Sequence, residues 1–271
     1  MTAPGDSRYL FEHAEDAELG RLRAIEAVCD PWTVDVLKRT GPFAPTPAPA
    51  GSRCLDIGAG AGSITRWLAR QVAPAGQVVA ADADVRFLAP LASATVRVVR
   101  HDLRHGPLEP GGFDLVHARF LLEWLPGWGR ALDHLVASAR PGGTVVVSDM
   151  AWGNRIPAHG VLERWVSAVP AVLREVSCYH PDCGRLLPEA LASRGIRVDG
   201  AEARAALLDG GSPGMDWPRL SLPPMAAPMM RMGLIDQAAL DSVSRLLSDP
   251  ATRLWLPPMV SVWGRRTPAW C

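Results

Sequence analysis

The stretch Cys54-Leu-Asp56-Ile-Gly58-Ala-Gly60-Ala-Gly62-Ser-Ile-Thr-Arg-Trp67-Leu-Ala decides the reading of this chain. An apolar run carries an acid near its end, glycines recur at every second position, and an amphipathic pattern begins at once. Glycine lets a backbone turn tightly and lets a ligand lie against it, and the first amides of a helix are free to bind polar groups. The stretch therefore predicts a buried strand, a cofactor-binding turn and a helix. A nicotinamide fingerprint, G-x-G-x-x-G, would place its third glycine at position 63, where this chain has Ser63; its third glycine is Gly62. The dinucleotide reading is the weaker one.

Outward from the turn, short apolar runs alternate with amphipathic stretches. Strands are predicted at 54–57, 78–81, 96–99, 113–116 and 144–147, and helices at 64–72, 85–91, 120–125 and 131–139. That alternation predicts an α/β fold with a mostly parallel sheet and helices on both faces. Upstream, Leu19, Leu22, Ile25 and Val28 form a helical stripe, a second short amphipathic run follows Pro31, and the run Pro42-Phe-Ala-Pro-Thr-Pro-Ala-Pro reads as a semi-rigid connector. Downstream, 151–195 reads as helical, 196–208 as room for one strand, 212–250 as Pro- and Met-rich connectors with a helix at 237–247, and 259–263 as a final strand. The division is an N-terminal helical segment and connector (1–50), a cofactor-binding core (51–150), and insertions with closing strands of the same domain (151–271).

Composition narrows the function. With 271 residues, 28 Lys+Arg against 28 Asp+Glu and 48% hydrophobic residues, the chain can bury a sizeable core and is neither a disordered tail nor an electrostatic binder of nucleic acid. No apolar run is long enough for a membrane helix, and the start lacks the pattern of a secretory signal, so a cytoplasmic protein without membrane partners is expected. Five scattered cysteines in a chain of this size do not predict disulfides. Cys178-Tyr-His180-Pro-Asp-Cys183 lacks a fourth partner nearby for zinc, and no metal site is expected.

Taken in order, the motifs resemble those of the class I, S-adenosylmethionine-dependent methyltransferases, in particular the small-molecule enzymes of antibiotic-producing bacteria. The glycine turn matches an acidic-x-G-x-G-x-G pattern. Val78-Val-Ala-Ala-Asp82-Ala-Asp84 resembles the second strand, Val96-Arg-Val-Val-Arg-His101-Asp102-Leu103 the third, Phe113 through Pro126 the fourth strand with its helix, and Pro141-Gly142-Gly143-Thr-Val-Val-Val the turn into the fifth. Met259-Val-Ser-Val-Trp263-Gly264 is similar to the closing antiparallel strand. The resemblance covers about residues 51–150 and implies a Rossmann-like seven-stranded sheet of order 3-2-1-4-5-7-6, an N-terminal lid over the cofactor, and a cap that shapes the acceptor site.

The resemblance implies S-adenosyl-L-methionine as cofactor, with Asp56, Gly58, Gly60, Asp82, Ala83, Asp102, Leu103 and His117 as its binding residues. In it the Asp82 carboxylate would accept from both ribose hydroxyls, and Asp102 with Leu103 would contact the adenine. Methyl transfer to a hydroxyl or a carbon acid also needs a proton removed. His117 and Glu123 are the candidate bases; Glu123-Trp124 stands where many relatives carry paired histidines. Tyr9 and His13 fall in the expected lid. Trp124, Trp128, Trp152, Trp165 and Trp217 fall in segments expected around the acceptor, whereas Trp67 and Trp263 are expected to pack the sheet. Met225 through Met232 suits an acceptor pocket, a homodimer contact or plain packing of the cap. The expected activity is methylation of a small, apolar or aromatic secondary metabolite, O-methylation slightly ahead of N- or C-methylation. The rivals are a quinone-type C-methyltransferase and a methyltransferase-like cyclase that binds the cofactor without transferring its methyl.

Overall fold

The computed structural model describes residues 10–11, 15–43 and 49–268. Tyr9, His13, most of the proline connector and Cys271 lie outside them. Among the described residues nine strands form: β1 (Arg53–Ile57), β2 (Gln77–Asp82), β3 (Val96–Arg100), β4 (Phe113–Arg119), β5 (Ala139–Met150), β6 (Ile196–Arg204), β7 (Leu207–Asp209), β8 (Arg253–Trp255) and β9 (Met259–Arg266). Seven of them make one sheet of order β3-β2-β1-β4-β5-β9-β6, in which β9 runs opposite to the other six. This is the Rossmann-like order that the sequence motifs imply.

The central strands are apolar on both faces: Cys54, Leu55 and Ile57, Val78–Ala81 and Val145–Val147 are all buried. Such runs suit parallel strands covered by helices on both sides. β6, at the edge, instead alternates buried or half-buried with exposed positions. Two glycines allow β9 to enter, because a Cβ on Gly264 would strike the Arg197 carbonyl and one on Gly200 would strike the Trp263 ring. Trp67 stacks edge-on to Phe43 and packs with Trp263 against the sheet, as expected of that pair.

The helices are α1 (Glu15–Lys38), α2 (Ser63–Val72), α3 (Trp128–Ser138), α4 (Gly160–Ser177), α5 (Cys183–Ala192), α6 (Asp216–Arg231) and α7 (Gln237–Ser248). Three expectations change here. Pro31 does not divide the N-terminal segment: α1 is one 24-residue helix, with Ile25 and Cys29 buried before the proline and Val36 and Leu37 after it. The run 85–91 forms only a 3-10 turn at Ala89–Leu91, where Pro90 lacks an amide to donate back along a helix; Leu122–Trp124 is likewise a single 3-10 turn, entered through Phe120 at φ +53°. Finally, the Pro- and Met-rich connector is α6, with Pro223, Pro224 and Pro228 inside it. Burial of Leu222, Met225 and Met229 between α1, α4 and α7 outweighs the lost amide donors.

The cap also has an apolar cluster of its own. Trp165, Val169, Leu173, Met225, Val243 and Leu254 join α4, α6, α7 and the β7–β8 ribbon above the carboxyl ends of the strands. α5 instead lies directly on the sheet, at a point where a Cβ on Gly184 would collide with the Asp149 and Met150 carbonyls.

Candidate active site

Ligands of open parallel sheets bind beyond the carboxyl ends of the strands, where the strand order reverses, here between β1 and β4. The β1–α2 turn sits there. Gly58, Gly60 and Gly62 take φ of +71°, +56° and +82°, values that disfavour any other residue, and the Gly58 and Ala59 amides donate to the Ala81 carbonyl at 2.8 and 3.2 Å. The Gly60 amide donates to the Asp82 carboxylate at 2.9 Å, and the Asp84 amide donates to its other oxygen at 3.0 Å. Burial pushes the Asp82 carboxyl up to about 6. Asp84 is instead committed to Arg86 at 2.9 Å, which leaves Asp82 as the acid that faces the turn.

Parallel pairing of β1 with β4 places Asp56 beside His117. His117 Nδ1 lies 2.8 Å from Asp56 Oδ1, and the Thr65 hydroxyl donates to Asp56 Oδ2 at 2.6 Å. Asp102 is differently occupied. The Arg104 guanidinium donates to its carboxylate at 2.6–3.0 Å and holds the acid below the usual carboxylate range. The Leu103 side chain is buried in the sheet's core rather than in the site, although Asp102 and Arg104 both line it.

A cavity of about 370 Å³ extends from this turn to the cap. Asp56, Gly58, Gly60, Asp82, Ala83 and Asp102 line one region of it, and His117 and Glu123 line it too. Of the expected tryptophans, Trp124, Trp152, Trp165 and Trp217 form its walls together with Met225. Trp128 does not: at the start of α3 it packs against the apolar layer between α3 and the sheet, because α3 begins past the site's rim. Trp255, on β8, joins the wall instead and was missed, since β8 carries only three residues of strand pattern.

Glu123 is buried, and its Oε2 accepts from the Met150 amide at 2.9 Å. Burial pushes its carboxyl up to about 7, against hydrogen bonds from Met150 and Tyr179. The Tyr179 hydroxyl also accepts from Trp152 Nε1 at 2.8 Å, and the Tyr179 and Trp124 rings lie 4.7 Å apart. Asp149, at the end of β5, lies behind Glu123 and is not part of the wall. Burial, and then the neighbouring Glu123, raise it well above an ordinary aspartate. Cys183 sits at Asp149 and is buried, whereas Cys178 is exposed. Among the described residues no group of three His, Cys, Asp or Glu side chains is placed to hold a metal ion.

The sequence reading expects an N-terminal lid but not the polar contacts by which α1 reaches the turn. The Ser63 amide, in the first turn of α2, donates to Glu26 at 3.0 Å, and the Ser63 hydroxyl donates to Asp30 at 3.0 Å. Arg119 donates to Asp30 at 2.9 Å and to the Thr33 hydroxyl at 2.8 Å, which ties the end of β4 to the same helix. Leu22, Ile25 and Glu26 thereby enter the cavity wall. A carboxylate at a helix N-terminus is favoured by the free amides there, but no local pattern shows which distant helix will supply it.

A family model described as a methyltransferase domain matches residues 30–182. The chain belongs to this methyltransferase domain family, whose cofactor is S-adenosylmethionine. Methyltransferase str3 of Strobilurus tenacellus is 33% identical over 108 residues, which cover 40% of this chain and 39% of that protein. The chain thus spans about two fifths of that relative's length. Two solved structures share the fold: Haemonchus contortus phosphoethanolamine N-methyltransferase 2 in complex with S-adenosylhomocysteine (TM-score 0.57, 16% identity, 99% of this chain and 61% of that one), and the [4+2]-cyclase SpnF (TM-score 0.53, 20% identity, 89% and 82%). No described helix is long and apolar enough to cross a membrane.

The residues fit the cofactor. The turn at Gly58–Gly62 is glycine at the positive φ of positions 58, 60 and 62, where a Cβ at 58 or 62 would press on Leu121 or Leu91, and the Asp82 carboxylate stands beside the Gly60 amide with lone pairs to spare.

Proposed function

We propose that this chain transfers a methyl group from S-adenosylmethionine to a hydroxyl of a small, apolar or aromatic acceptor. The observation that carries this reading is the continuity of the cavity from the Asp82 turn to the walls of Trp124, Trp152, Trp165, Trp217 and Met225. One end is polar and shaped for a nucleoside; the other is aromatic and capped, as suits a small metabolite.

In this reading Asp82 holds the ribose hydroxyls, Gly58, Gly60 and Ala83 form the floor beneath the cofactor, and Asp102, braced by Arg104, stands at the adenine. α1 acts as the lid and 151–271 supplies the acceptor wall. The bound cofactor supplies an electrophilic methyl on a sulfonium, and positioning an acceptor oxygen in line with it provides a large share of the rate. His117 is the candidate base. Asp56 can only accept, so the shared proton sits on Nδ1 and Nε2 presents a lone pair. Glu123, already bound to Met150 and Tyr179, orients the acceptor hydroxyl.

Incubating the protein with methyl-labelled cofactor and the small molecules that co-purify with it tests this. Labelled product together with S-adenosylhomocysteine is the expected result. Conversion of an acceptor to an unlabelled isomer would replace methyl transfer with a cyclase role.

A further inference from the structure

Seven buried side-chain polar atoms have no hydrogen-bond partner among the described residues, and four of them belong to residues of the cavity wall: Arg86 Nε, His117 Nε2, Trp165 Nε1 and Ser177 Oγ. Arg86 is served by its ion pair with Asp84, and His117 Nε2 is the lone pair assigned above to proton removal. Trp165 and Ser177 remain, each only 3% exposed. Buried polar groups in folded proteins are hydrogen-bonded with few exceptions. Two residues of a cavity wall that carry such atoms mark where a ligand's polar groups belong.

Both residues are on α4. Trp165, Val169, Leu173 and Ser177 recur every fourth residue and all four line the cavity, so they form one stripe of the helix facing it. At a rise of about 1.5 Å per residue the ends of the stripe lie roughly 18 Å apart along the axis. Between them the stripe is wholly apolar, and Trp217, Met225, Leu254 and Leu256 continue that character around the cavity. An indole N–H only donates, and a serine hydroxyl both donates and accepts. The complementary molecule therefore offers an oxygen lone pair at one end, a second oxygen function at the other, and an apolar body between.

Resting on the methyltransferase reading, we infer that the acceptor carries two oxygen functions separated by an apolar body, and that Trp165 and Ser177 recognise them. These are specificity-determining residues: they select the acceptor and do not take part in the transfer of the methyl group.

Calorimetry with trans-stilbene, its para-hydroxy derivative and its para,para′-dihydroxy derivative, in the presence of S-adenosylhomocysteine, tests the inference. The dihydroxy compound is expected to bind about tenfold or more tightly than stilbene. Trp165→Phe keeps an aromatic ring and loses the N–H, and Ser177→Ala loses only the hydroxyl. Each is expected to cut the advantage of the dihydroxy compound over stilbene, measured within the same variant, by about threefold to tenfold, with affinity for S-adenosylhomocysteine within about twofold of the parent's. A parent protein that binds the dihydroxy compound no better than stilbene overturns the inference, as does an advantage that survives both substitutions. The methyltransferase reading fails separately: a protein that shows the expected selectivity but never forms S-adenosylhomocysteine from labelled cofactor keeps the two anchors and loses the chemistry.

Discussion

His117 and Asp56 form a buried pair joined at 2.8 Å across neighbouring strands, and Thr65 holds the far oxygen of the same carboxylate. Neither residue is more than 2% exposed. A carboxylate in this position fixes the tautomer and orientation of the imidazole, as it does where a histidine must take a proton from a substrate.

Asp56→Asn tests that role. The amide would turn a donor toward Nδ1, force the proton onto Nε2 and remove the lone pair. With a hydroxyl acceptor, kcat is expected to fall by about a hundredfold or more while the fold is retained. Single-turnover assays together with circular dichroism check both parts, and an unchanged kcat would transfer the base assignment away from His117.

Asp82→Ala removes the acid at the glycine turn. Loss of charge-assisted hydrogen bonds is expected to weaken S-adenosylmethionine binding by about tenfold or more. Calorimetry measures this directly, and the same affinity in both proteins would leave the ribose without its assigned partner.

Glu123 makes stability depend on pH in a defined direction. Burial raises its carboxyl from 4.5 to about 7, so between those values the folded protein holds a proton that the unfolded chain has released. Stability should therefore fall as pH rises from about 5 to 7 and level off above that, with each unit of displaced pKa corresponding to about 1.4 kcal/mol. Glu123→Gln keeps an acceptor for the Met150 amide and no longer titrates. Denaturant titrations at a series of pH values should show a shallower slope for the variant; equal slopes would mean that another group governs this range.

Gly184→Ala addresses the seat of α5 on the sheet. A Cβ there meets the carbonyls of Asp149 and Met150, which belong to the backbone of β5 and cannot swing aside. The expected loss is about 1–3 kcal/mol, seen as a lower denaturation midpoint. An unaltered midpoint would show that α5 can shift outward freely.

The parts that sequence made legible are those written locally. Gly58, Gly60 and Gly62 announce the turn, and the apolar runs that follow announce strands in order, because a buried parallel strand needs nothing beyond its own residues to be recognised. Trp165 and Trp217 are expected around an acceptor from their segments alone, and both line the cavity. α6 was hidden because Pro223, Pro224 and Pro228 argue against a helix that only its neighbours stabilise. The bond from Ser63 to Glu26 was hidden for a related reason: it joins residues 37 positions apart, and nothing near either one names the other. His117 was found by its strand, but its pairing with Asp56 followed only from the β1–β4 register.

The position of α1 bears on the order of events in turnover. Its Glu26 and Asp30 hold Ser63 at the start of α2, its Leu22 and Ile25 line the cavity, and the same helix packs against α6. In the proposed reading two ligands share one gate. On that reading, loosening α1 to release a product would also unfasten the turn assigned to the spent cofactor, and the two departures would be coupled in time. The expected kinetic signature is an ordered sequence paced by movement of this helix, with the chemical step faster than the exchange that follows it.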